Sequence, residues 1–119
     1  MTRIEIENSL KDLNQLVVEG KVMEAFEKYY HEEVAMQENQ EQPTVSKASN
    51  RERENRFFAD VVEFRNAAVE GLAVGDDISY VTWKYDYTHK HWGVRKYTQV
   101  SIQHWKDGKI IREQFIYHN

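Results

Sequence analysis

The chain has 119 residues, 40% of them apolar and 30% charged, with a formal net charge of −4 at pH 7 and no cysteine. That length suits one domain over residues 1–119 with a single core, and the composition is that of a globular chain. An acidic balance with no basic patch among the aromatics argues against a nucleic-acid surface, and the absence of cysteine excludes disulfides, a thiolate nucleophile and a zinc–thiolate site.

The first stretch, MTRIEIENSLKDL, carries early acids and no apolar core of a signal peptide. No apolar run approaches membrane-spanning length. The expectation is a cytoplasmic protein that does not engage membranes. Ile6, Leu10, Leu13 and Val17 form one stripe of an amphipathic helix that Gly20 stops. Val22, Ala25, Phe26, Tyr29 and Tyr30 mark a second helix running to about Glu32-Glu33, and Val34-Ala35-Met36 reads as a short strand. Residues 37–49, with the only proline at Pro43, form a loop. Ser46, Ser49 or Asn50 can cap a third helix. Its NRERENR half reads as a solvated face with pairs such as Glu52–Arg56, and Phe57, Phe58, Val61 and Val62 give it something to bury.

From Glu63 the period changes to two. EFRNAAVEGLAV reads as a long strand, with Gly71 a possible bulge, and Gly75-Asp76-Asp77 turns it. The next strand, ISYVTWKYDYTH, puts Val81, Trp83, Tyr85, Tyr87 and His89 on one side, which we assign inward. The last two strands flank Asp107-Gly108, a strong hairpin signal because a type I′ turn needs positive φ at both central residues. A regular hairpin about that turn pairs Trp105 with Ile110, His104 with Ile111, Ile102 with Glu113 and Val100 with Phe115. Thr98, Val100, Ile102, His104, Ile111, Glu113, Phe115 and Tyr117 then share an inner face. Tyr97, Gln99, Ser101, Gln103, Trp105, Ile110, Arg112, Gln114 and Ile116 share the outer one.

Helices preceding a run of meandering antiparallel strands make an α+β fold. In three places the chain resembles the SnoaL-like polyketide cyclase family of the nuclear transport factor 2-like superfamily. These are GKVMEAFEKYYHEEVAM, VTWKYDYTHKHWG and DGKIIREQFIY. The resemblance implies a cone-shaped half-barrel, its curved antiparallel sheet wrapped around the three helices, with a pocket between sheet and helices. It also implies a homodimer through the outer sheet face. On the assignment above, Tyr97, Gln99, Gln103, Trp105, Ile110 and Ile116 would form that interface. The cyclases of the family that this chain resembles, and the related isomerases and epoxide hydrolases, use an aspartate in the pocket, and several carry an acid near the end of the last strand. Here that segment is FIYHN, and Asp86 has the wrong parity.

Glu113 is the one acid placed inside on the late strands. An inward carboxyl between Ile111 and Phe115 must find a donor, take up a proton or reach water. It is the candidate base for proton transfer next to a carbonyl, with His104 as a second catalytic candidate. The structural alternative is an acid locked to Arg65, His104 or a helix-borne donor. Tyr29, Phe58, Trp83, Tyr85, Tyr87, His89, Phe115 and Tyr117 are candidate liners of a site for a small hydrophobic, cyclic ligand. His89 and His91 form an H-x-H pair without a third ligand in sequence, and there is no glycine-rich phosphate loop, so neither metal nor cofactor is expected. The other function class is a non-catalytic binding or dimeric assembly domain of the same fold.

Overall fold

The computed structural model describes residues 1–118. Helix α1 spans Arg3–Val18 and opens on a capping box between Thr2 and Glu5. Ile6, Leu10, Leu13 and Val17 are all buried, as their spacing predicts, and Gly20 carries the positive φ of 79° that ends the helix. Helix α2 is shorter than expected, Val22–Tyr29, and strand β1 begins at once, Tyr30–Glu38. Tyr30 leaves the helix to pair with Ile110 at the far end of the chain. The loop around Pro43 contains a two-residue strand, β2 (Thr44–Val45), that the polar sequence did not suggest.

Helix α3, Lys47–Ala59, is capped by the Ser46 side chain, which accepts from the Ser49 amide at 3.1 Å. Only Lys47 and Asn50 on it are buried. The Asn50 amide donates to the carbonyls of Val34, Thr44 and Ser46, and so pins the helix start to β1 and β2. Val61 and Val62 do not belong to this helix. Strand β3 (Val61–Gly75) starts there, and Val62 is exposed. A register shift between Val69 and Gly71 marks the bulge expected at that glycine.

Strands β4 (Ile78–His89), β5 (Gly93–Lys106) and β6 (Lys109–Tyr117) complete one six-stranded sheet, ordered β2-β1-β6-β5-β4-β3. The late strands are antiparallel, as predicted. The sheet as a whole is mixed, because β1 lies parallel to β6. The architecture is the α+β half-barrel, with the sheet unclosed. The core joins the α1 stripe, Ala25 and Phe26 of α2, Val34 and Met36 of β1, and Val81, Trp83, Trp105 and Ile110 of the sheet.

The closing turn holds Asp107 at φ 54° and Gly108 at φ 82°, as a type I′ turn requires. Beyond it the hairpin departs from the regular register. Trp105 pairs with Ile110, but His104 pairs with Arg112, so Ile111 is an extra residue on β6. A one-residue shift moves a whole strand's side chains to the other face. Glu113, Phe115 and Tyr117 keep the inner face. Their partners there are Gln103, Ser101 and Gln99 rather than Ile102, Val100 and Thr98. Trp105, Ile110, Gln103 and Gln99 are buried and Tyr97 is partly so, on the inner face. Of the six residues assigned to a dimer interface, only Ile116 lies on the outer face. His104 is there too.

Candidate functional site

One large cavity, of about 820 Å³, lies between the inner sheet face, α2 and α3. That falls in the size range of small-molecule sites, roughly 300–1,000 Å³. Glu41, Arg56, His91 and Trp92 line it and are exposed, so they mark its mouth. Val17, Met36, Trp83, Gln103 and Glu113 line it and are buried, so they mark its closed end.

Glu113 sits at that closed end, 2% exposed. Its Oε1 accepts a hydrogen bond from the Tyr30 hydroxyl. Its Oε2 accepts from Gln103 Nε2 at 2.8 Å. Gln103 Oε1 accepts in turn from Ser79 Oγ at 2.6 Å, and Ser79 Oγ accepts from Trp105 Nε1 at 2.9 Å. Gln103 of β5, with Ser79 of β4, thus links the core indole to the buried carboxyl, while Gln99 donates to Ser101 beside it. Burial pushes the Glu113 carboxyl up to about 7, against the stabilising bonds from Tyr30 and Gln103, with Glu54 and Glu38 adding like charge. A carboxylate has about four acceptor positions, and the protein occupies two of Glu113's.

A second acid reaches the same cavity. Glu54, on α3, is also pushed up to about 7, first by burial, with Arg53 opposing and Glu38 assisting. Arg53 bridges Glu38 at 3.0 Å and Glu54 at 3.3 Å. In the sequence Glu54 belongs to a run that reads as charged all round. The missed signal is spacing: Arg53, Glu54, Phe57 and Phe58 lie at i, i+1, i+4 and i+5, one face of a helix, and all four line the cavity. Tyr30 reads in the sequence only as the last member of the second helix's apolar pattern.

Of the expected ligand residues, Phe58, Trp83, Tyr85, Tyr87, His89, Phe115 and Tyr117 line the cavity. Tyr29 does not. It packs edge-on to Trp105, and its hydroxyl donates to Asp12 of α1. His104 lies behind the sheet, away from Glu113. Trp83 stacks on Tyr85 with ring centres 5.5 Å apart, and the Tyr87 and Tyr97 hydroxyls bond each other at 2.9 Å. Burial raises the Tyr85 hydroxyl far above its usual range, with Glu113 and Glu54 adding to the shift, so it stays a neutral donor. His89 stacks on Trp92 at 3.8 Å, and His91 lies 3.6 Å from Asp60. Among the described residues no three His, Cys, Asp or Glu side chains converge as a metal site, and no helix is long and apolar enough to cross a membrane.

The architecture is an α+β half-barrel whose inner face carries a cavity lined by aromatics and an inward carboxyl. The chain belongs to the SnoaL-like domain family, whose model matches residues 1–117. Among solved structures it is similar to a protein from Mesorhizobium loti provisionally named a SnoaL-like polyketide cyclase. The two are 29% identical over 98% of this chain and 100% of that one, with a TM-score of 0.85. The fold is shared with a provisional SnoaL-like polyketide cyclase from Jannaschia sp. CCS1, 10% identical over 97% of this chain and 86% of that one, TM-score 0.81. It is also shared with a provisional isomerase from Rhodopseudomonas palustris, 12% identical over 100% and 93%, TM-score 0.72. No curated protein matches the sequence.

Proposed function

We propose that the cavity binds a small hydrophobic, cyclic carbonyl compound and that Glu113 moves a proton at the carbon next to the carbonyl. One observation carries this reading: a carboxyl buried at the closed end of an 820 Å³ cavity, where burial pushes it up to about 7. A base with that value is partly ionised near neutral pH and returns the proton without a large penalty. Trp83, Tyr85 and Phe115 supply flat apolar walls. Tyr85, neutral and facing the same space, donates to the enolate oxygen as charge develops there. Glu54 is the second proton carrier. The names of cyclase and isomerase neighbours agree with this chemistry.

The test is deuterium exchange next to the carbonyl of 2-tetralone, followed by NMR. The wild type should speed exchange over buffer, and Glu113→Gln should lower the rate by about a hundredfold. A rate unaffected by that substitution removes Glu113 as the base. A non-catalytic binding domain is the second reading. It is favoured by the engagement of both Glu113 oxygens with Tyr30 and Gln103. Binding of the ketone without any acceleration would select it.

We also propose a homodimer through the outer sheet face. The corrected register puts Tyr80, Val100, Ile102 and Ile116 together there, with Tyr80 and Ile116 exposed. Ile102→Asp should convert a dimer to a monomer in sedimentation velocity. A profile identical to wild type rules this face out.

A further inference from the structure

Arg95 is the arginine of the cavity wall that lacks a carboxylate. Arg53 has Glu38 at 3.0 Å, and Arg56 has Glu52 at 3.6 Å. Among the described residues no acid lies within 4.0 Å of Arg95. Its Nε is shut off from solvent and has no acceptor. A buried N–H without a partner is costly, more so on a charged group. The side chain is not loose: the guanidinium lies over the Tyr97 ring, 5.3 Å from its centre. β5 brings Arg95 to the inner face beside the mouth, next to Tyr87 in the pairing and two positions from Gly93, which pairs with His89.

Gln103, which holds Glu113, is eight residues further along the same strand. At about 3.3 Å per residue the backbone between them spans at most about 26 Å. Phe57, Tyr85 and Trp83 line the cavity along that path. The cavity thus offers a cation at the mouth, an apolar aromatic middle and a carboxyl at the closed end. Glu38 and Glu54 line the same cavity, but both pair with Arg53 and neither lies within 4.0 Å of Arg95.

We propose that the cavity takes an elongated, mainly apolar ligand ending in a carboxylate, which Arg95 holds at the mouth while the body extends toward Glu113. The inference rests on reading the cavity as a small-molecule site. It adds the charge and shape of what enters. A guanidinium is suited to the task because its planar fork meets a carboxylate with two parallel hydrogen bonds.

The experiment is a fluorescence titration of the full chain with 1-pyrenebutyrate and with its methyl ester, at pH 7.5. The wild type should bind the acid about tenfold more tightly than the ester. Arg95→Met should abolish that preference by weakening the acid alone; its unchanged affinity for the ester shows that the fold and cavity are intact. Arg95→Lys, which keeps the charge but not the fork, should fall between the two. Equal binding of acid and ester by the wild type, or a preference that survives Arg95→Met, overturns the assignment of Arg95 and leaves the small-molecule reading standing. Binding of neither probe overturns both.

Discussion

Trp105→Ala should cost about 3–5 kcal/mol of folding stability, the usual range for removing a large aromatic from a core. Trp105 is 3% exposed and packs edge-on to Tyr29, with ring centres 6.5 Å apart. Its Nε1 also donates to Ser79, so the substitution removes one end of the relay to Glu113. A regular hairpin would instead have put this indole on the outer face, where alanine would cost little. Urea unfolding separates the two placements. A loss below about 1 kcal/mol would return Trp105 to the surface and undo the bulge at Ile111.

The second large effect is on the pH dependence of stability. Glu113 has a folded-state value of about 7 against an ordinary 4.5. Between those values the folded protein holds a proton that the unfolded chain has released. Stability is therefore greatest below about 4.5 as far as this group is concerned, and falls as pH rises to about 7. A shift of that size corresponds to about 3 kcal/mol. Glu54 acts in the same direction. Glu113→Gln should remove the Glu113 share and leave the Glu54 share. The amide can still accept from Tyr30, and a flip of Gln103 restores the second bond with Ser79 as its new acceptor. Denaturant midpoints across pH 4.5 to 7.5 check this, and a flat wild-type profile would contradict it.

Much of the fold was legible because the elements follow simple periods. The α1 stripe, the Asp107-Gly108 turn and the inward aromatics of β4 come directly from spacing and turn chemistry. Glu113 was legible as an inward acid because the bulge preserves its face. What failed was β5, and for one physical reason: an unpaired residue, Ile111, leaves no mark in composition, yet it reverses the partner strand. The polar set Gln99, Ser101 and Gln103 then falls on the outer face, whereas Gln103 holds the buried carboxyl and the others line the cavity. His104 was lost to the site by the same shift. Glu54 and Arg95 were hidden for a different reason. Each is one charge among many along the chain, and only the cavity separates them from solvated neighbours.

The central claim is that Glu113 is a carboxyl tuned toward neutrality inside a ligand-sized cavity. Its titration is measured most directly by 13C NMR of glutamate carboxyl carbons from pH 3 to 9. The signal missing from the Glu113→Gln spectrum identifies it, and separates it from Glu54. A midpoint near 7 is the expected result. A midpoint near the ordinary 4.5 would mean that the Tyr30 and Gln103 bonds, or water, stabilise the ion fully. It would remove the basis for Glu113 as a proton carrier.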